Sequence, residues 1–365
     1  MAYTNQNILG MSVINKIQIR ELLISKFKLR SLFSFYRDYR ASHRRLFGIK
    51  QNNGIKNYKT ISISVQDHTF EEYITSQTKE NTGIIENVLF ATKIMPDVQV
   101  VINKPNPYVP LWSKTGEKWL IHIEPPGYIK QLGMNRSKNL DKFTRVYTSD
   151  PALYSQGGKY IASPPYVHWH LEISSYSKTN QCLYDFDFLE SQTEAPIKSV
   201  NLTVINSNIN NLPGHQNRAQ FIQNLCESGF DLALYGGSKW TKYSQYINSA
   251  PNGKWPIYSI SRYVLVIENE VAPYYWTEKI TDTLLCWSMP IYFGAPNIGE
   301  YLPQGSYINI DINNPDAIDI LKQIIESDFY EKNISNIAKA RQLILNNLNL
   351  FSFIKDEFNL FHLKQ

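Results

Sequence analysis

The chain has 365 residues, 43% of them hydrophobic and 19% charged, with a formal net charge of +5. That length accommodates two ordinary domains, and that balance excludes a disordered polyelectrolyte. Cys182, Cys226 and Cys286 lie far apart with no CxxC pair, so neither a disulfide framework nor a zinc site is expected, and a reducing compartment is the simpler setting.

The first residues lack the basic-then-apolar order of a signal peptide, and no run reaches the roughly 18 apolar residues that span a bilayer. A cytoplasmic location is the expectation. Residues 16–50 carry ten Lys/Arg against Glu21 and Asp38, a local balance of +8, with Ile17, Leu22, Leu23, Phe27, Leu32, Phe33 and Phe35 spaced roughly as one helical face. Such a helix either lies peripherally on the anionic inner surface of a membrane or packs, solvated, on its own domain. No nucleic-acid fold accompanies the charge, so no nucleic-acid partner is expected.

After a linker at 51–57, strand-like runs follow at 60–66 (TISISVQ), 97–103 (DVQVVIN), 118–124 (KWLIHIE) and 143–149 (FTRVYTS), with a weaker helical stretch at 70–78. This alternation predicts a first α/β domain over 57–195, preceded by a helical extension at 1–56. A second α/β domain is expected over 196–345. It has strands at 199–207, 230–237, 263–270 and 290–294, and a helix at 218–229 that opens on Arg218 and stops at Gly229. The apolar tail reads as long and helical, with a C-terminal helix at 346–365 that packs back on the first domain.

Two motifs invite a metal reading. Asp185 and Asp187 form an Asp-x-Asp in an aromatic, strand-like run, and His168 and His170 present two imidazoles on one strand face. Neither has a third ligand, so both are read as structural and no metal is expected to be required.

The densest chemistry lies at 266–285, VIENEVAPYYWTEKITDTLL. A strand delivers Glu268 and Asn269 at its C-terminal end, and Tyr275 and Glu278 follow within reach of the same cavity. Thr277 has the right chemistry for an N-cap. Lys279 in the first helical turn opposes the helix dipole, which makes sense where an anion such as a diphosphate is held there too.

The run IENEVAPYYWTEKITDTLLCWSMPIYFGAPNIGEYLP resembles the signature of the α-1,3-fucosyltransferases, glycosyltransferase family 10. It departs at Ile267, Glu270, Trp276 and Phe293, where that signature has Phe, Ser, Val and Trp. Glu270 and Trp276 fall near the expected donor pocket. The resemblance implies a GT-B fold, two Rossmann-like domains facing a cleft, and inverting transfer of fucose from GDP-fucose to a glycan hydroxyl. It implies donor contacts from Arg218, Asn269, Tyr275, Glu278 and Lys279. Glu124, in IHIEPPG, matches the family's first-domain carboxylate and would serve as catalytic base. Tyr147 and Asp150 match loosely as acceptor-orienting residues. A nucleotide sugar and a glycan are then the partners, and a divalent metal is at most stimulatory. Transfer of another nucleotide-linked sugar, or catalytically silent glycan binding, remain the alternative readings.

Overall fold

The computed structural model describes residues 36–37, 39–40, 43–44, 58–65, 76–92, 95–105, 111–172 and 183–362. The basic segment 16–50, the helix expected at 70–78 and Cys182 lie wholly or largely outside them. Among the described residues, no helix is long and apolar enough to cross a membrane.

Short β-branched runs build the first sheet from β1 (Lys59–Val65), β2 (Ile84–Ile85), β3 (Val88–Phe90), β4 (Val98–Ile102), β5 (Lys118–Ile121), β6 (Arg145–Thr148) and β7 (Tyr160–Ala162). Their spatial order is β2-β3-β1-β4-β5-β6-β7. Every pairing is parallel except β2 with β3. All five residues of β4 are buried, as expected of a parallel strand covered on both faces.

The second sheet comprises β8 (Val200–Asn206), β9 (Ala233–Gly236), β10 (Tyr246–Asn248), β11 (Ser261–Ile267), β12 (Met289–Phe293) and β13 (Ile308–Asn309). It is parallel throughout, in the order β10-β9-β8-β11-β12-β13. This is the doubly wound Rossmann order. Its topological switch point falls between β8 and β11, and ligands of such sheets bind outside the carboxyl ends of those strands. The longer helices are α1 (Pro126–Gln131), α2 (Phe186–Ser191), α3 (Pro213–Glu227), α4 (Glu278–Leu285), α5 (Ala317–Glu326), α6 (Phe329–Asn346) and α7 (Leu350–His362).

Several local expectations need correction. Helix α3 begins at Pro213, five residues ahead of the expected opening at Arg218. Proline at the first helical position is pre-set for the turn and has no N–H to leave unpaired. Asp185 and Asp187 are not in a strand: Asp185 caps α2, accepting from the Phe188 N–H at 2.9 Å. His168 and His170 lie in irregular chain, not on a strand face.

The tail is two helices, because Asn349 interrupts it. Its Oδ1 accepts from the N–H groups of Phe351 (3.0 Å) and Ser352 (2.9 Å), and its Nδ2 donates to the Leu345 carbonyl at 2.7 Å. Helix α7 then crosses back onto the first sheet. Phe351 meets Phe90 edge-on at 5.1 Å, Lys355 pairs with Glu86 at 3.2 Å, and Glu357 accepts from the Tyr147 hydroxyl at 2.8 Å.

Phe351 is fully buried, so Phe351→Ala should cost about 3–5 kcal/mol in a urea unfolding titration. Tyr147→Phe should cost about 1.5–3 kcal/mol, the range for a hydrogen bond to a charged acceptor. Wild-type midpoints in both variants would show that α7 is not docked in this way.

Candidate active site

The strand ends at the switch point set the site. Helix α3 starts hard against β11: a Cβ on Gly214 would stand 1.9 Å from the Asn269 carbonyl oxygen, so only glycine allows this approach. The close fit aims Arg218, one turn further along, at both strand ends. Its Nε donates to Asn206 Oδ1 at 3.2 Å, and its Nη1 to the Ile267 carbonyl at 3.0 Å and to Asn269 Oδ1 at 2.9 Å. Arg218 is buried, not a helix-terminal surface residue. No hydrogen bond from its Nη2 is found among the described residues.

Beyond β11 the chain loops through 268–277 and enters α4. Thr277 is the N-cap, accepting from the Lys279 N–H. The Glu268 carboxylate is buried beneath it. It accepts from the Thr277 N–H at 2.8 Å, from the Thr277 hydroxyl at 2.9 and 3.0 Å, and from Lys279 Nζ at 3.2 Å. Lys279 Nζ also reaches Thr277 Oγ1 at 2.9 Å and Glu278 Oε1 at 3.7 Å. The anion that offsets Lys279 within the chain is therefore Glu268. The sequence reading placed this residue at the strand end but assigned it no role. A lone acid closing a buried parallel strand, nine residues before a threonine cap, was the available signal.

Glu278 lies between Lys279 and Lys254, the latter 3.9 Å away. Burial pushes its carboxyl up, but the two lysines and His170 outweigh that and hold it well below the ordinary range. One turn on, buried Asp282 accepts from Lys254 Nζ at 2.6 Å and from the His170 N–H at 3.0 Å. Burial opposes the Lys254 ammonium, yet Asp282 and Glu278 hold it protonated. His168 and His170 meet Nε2 to Nε2 at 2.8 Å, which consumes one nitrogen of each. Among the described residues no group of three or more His, Cys, Asp or Glu is placed to hold a metal ion.

Tyr275 is buried, and burial together with the carboxylates of Glu268, Glu278, Glu124 and Glu270 holds its phenol well above the ordinary value. Glu124 and Glu270 come from opposite domains, so Tyr275 marks where the two halves meet. Glu124 follows β5 and is partly buried. Burial raises its carboxyl, with Lys279 and Glu278 as the charges that reach it. Both of those charges stand at the start of α4.

The acceptor-orienting candidates lie elsewhere. Tyr147 is in the core, its hydroxyl given to Glu357 of α7, which removes it from the cleft. Asp150 is buried and caps the short helix Pro151–Tyr154, accepting from the Ala152 N–H at 3.0 Å. Trp276, expected near the donor pocket, is buried. It packs edge-on against Tyr166 and tilted against Tyr301, with centroids 5.6 Å away in both cases.

Between the domains lies a cavity of about 810 Å³. Gly127 and Gln131 of the first domain line one side, and the other side includes Gly214, Asn217 and residues 267–271. Glu270 reaches across it, its Oε2 accepting from the Gly127 N–H at 2.8 Å. A contact between residues so distant in sequence left no trace in local pattern.

Residues 196–330 match the family model described as "Glycosyltransferase family 10 (fucosyltransferase) C-term". No curated protein matches the chain. Among solved structures, a crystal structure of an α1,3-fucosyltransferase is 17% identical with a TM-score of 0.45, covering 82% of this chain and 93% of that one. A second, with GDP-fucose, is 15% identical with a TM-score of 0.43, covering 80% and 92%. An α-glucosyltransferase in complex with UDP and a 13-mer DNA is 10% identical with a TM-score of 0.51, covering 83% and 99%. That last likeness is one of fold, and with the two facing parallel sheets it gives the GT-B architecture. The likeness to glycosyltransferase family 10, the fucosyltransferases, thus covers the second domain, residues 196–330.

Proposed function

We propose that the chain transfers fucose from GDP-fucose to a hydroxyl of a glycan acceptor, with inversion at the anomeric carbon. One observation carries this reading: Glu124 of the first domain, a carboxyl raised by burial, lies within electrostatic reach of Lys279 and Glu278 at the start of α4. The family match supports the sugar, and the solved fucosyltransferase with GDP-fucose supports the nucleotide. In this mechanism Glu124 takes the acceptor hydroxyl's proton as that oxygen attacks C1 and the bond to the β-phosphate breaks. Charge then develops on the leaving diphosphate. Arg218 and Lys279 stand ready to receive it. Asn269 orients Arg218 through their 2.9 Å hydrogen bond.

A second reading keeps the chemistry and changes the sugar. Glu270, an acid where the family signature has serine, lines the cavity and could select a different nucleotide-linked hexose. Incubation with a panel of nucleotide sugars and a glycan mixture, reading released nucleotide, separates the two. GDP-fucose should turn over well ahead of the others; preference for another donor would replace fucose.

Glu124→Gln should lower kcat by about 10²–10⁴ while leaving GDP binding intact. The base works only when ionised, and burial raises its pKa. Activity should therefore fall on the acid side at a pH above the ordinary carboxylate range, and that limb should vanish in the variant. A wild-type kcat in Glu124→Gln would remove this residue from the mechanism.

Arg218→Ala and Lys279→Ala should each weaken GDP binding by about 1.5–3 kcal/mol in calorimetry, the range for a hydrogen bond to a charged group. Unchanged affinity in both would place the diphosphate elsewhere. With these cations meeting the leaving group, EDTA should leave most of the activity; complete, metal-reversible loss would refute that division of labour.

A further inference from the structure

Glu270 stands where the family signature has serine, and its contact belongs to this chain. Its carboxylate leaves the end of β11, crosses the cleft and accepts from the Gly127 N–H at 2.8 Å. Gly127 is the third residue after Glu124, and the two residues between are Pro125 and Pro126. Each proline ring locks one backbone dihedral, so the segment from Glu124 to Gly127 behaves as a short stiff lever. Moving Gly127 moves Glu124. A Cβ at 127 would stand 2.9 Å from Glu270 Oε2, so a larger residue there would make the carboxylate shift.

The loop carrying Glu270 touches the first domain a second time. Tyr274 packs edge-on against Tyr154 with centroids 5.6 Å apart. Its backbone has φ 65°, a conformation non-glycine residues seldom adopt, and its N–H is held by Asn297 Oδ1 at 2.8 Å. Two anchored contacts from one loop, both in the five residues before Tyr275, tie the two sides of the cleft together. The same loop begins with Asn269, which orients Arg218.

We propose that Glu270 is a positioning residue: its hydrogen bond to Gly127 clasps the two domains and sets the approach of Glu124 to the donor. This rests on Glu124 acting as the base. Glu270 does not exchange protons with substrate. It transmits the position of the donor loop to the catalytic turn.

The test compares Glu270→Ala, Glu270→Gln, Gly127→Ala and the Glu270→Ala/Gly127→Ala double variant. Glu270→Ala should lower kcat about tenfold, as expected for a displaced reacting group, with donor KM and GDP affinity within about twofold of wild type. Glu270→Gln keeps a carbonyl oxygen for the Gly127 N–H and should recover most of kcat. Gly127→Ala displaces the carboxylate and should resemble Glu270→Ala. The double variant should be no worse than either alone, because the same contact is removed once.

A readout independent of turnover separates this idea from the proposed reaction. With selective ¹⁵N-glycine labelling of the chain's 17 glycines, the Gly127 amide is the signal lost in Gly127→Ala. It should shift strongly in Glu270→Ala and little in Glu270→Gln. An inactive wild type with that shift intact would sink the fucosyl-transfer reading while keeping the clasp. Overturning the clasp requires one of three results: wild-type kcat in Glu270→Ala, additive losses in the double variant, or GDP affinity falling in step with kcat. The last would make Glu270 a donor ligand.

Discussion

A single buried carboxylate organises the second domain's working edge. Glu268 closes β11 with its side chain buried, where an unpaired charge would cost several kcal/mol. Thr277 and Lys279 supply the pairing, and both come from the start of α4. The interaction therefore does three things at once. It pins the strand end, it fixes where α4 begins, and it holds a lysine in a first turn that would otherwise disfavour a cation. The loop between, 268–277, is consequently tied at both ends, and that lets it carry rigid contacts to the opposite domain.

The far end of α4 is fixed by a different device. Arg341 of α6 is buried, and among the described residues no carboxylate pairs with it. Its guanidinium donates to the Leu285 carbonyl at 2.9 Å, to Gln192 at 2.8 Å and to Leu189 at 3.0 Å, while lying 4.5 Å over the Trp287 ring. These carbonyls terminate α4 and α2, and a cation is favoured at such ends. One residue thus joins the segment leaving the first domain to the helix that faces the cleft. Tyr166, stacked on Phe353 of α7 at 4.3 Å and edge-on to Trp276, closes the frame from the other side.

The longer strands were legible because buried parallel strands are dense in β-branched and aromatic residues, as in the VLVI of β11 and the PIYF of β12, whereas the two- and three-residue strands β2, β3, β7, β10 and β13 carry too little pattern to be read. The Thr277 cap was legible because capping is local chemistry. What escaped depended on distance along the chain. Arg218 looked like a helix opening because the five residues before it are polar or helix-breaking. Yet Pro213 and Gly214 are there to start the helix and let it touch Asn269. Tyr147 sat in a family-like stretch, but its fate was decided by Glu357, far along in α7. Trp276 departs from the family signature for packing reasons, since it fills the space between Tyr166 and Tyr301. Glu270 and Gly127 each read as an ordinary loop residue until the fold brought them together.

The pairing of Lys279 with Glu268 raises a question for any anion-binding role: an ammonium already held by a carboxylate looks spent. Donor count argues otherwise. An ammonium has three N–H groups, and here two are directed at Glu268 Oε2 and Thr277 Oγ1. The third remains, on a group that no longer has to give up rotamer freedom when a ligand arrives. Glu268, in turn, is occupied by Thr277 as well as by the lysine, so its charge is shared over several donors and is less able to repel an incoming phosphate. Glu278, held ionised by Lys254 and Lys279 together, cannot take a proton from the cleft and leave Glu124 without its charged surroundings. Under the proposed reaction the site is therefore preorganised: the cations are fixed by internal acids before the donor binds, and little rearrangement is left to accompany charge development on the diphosphate.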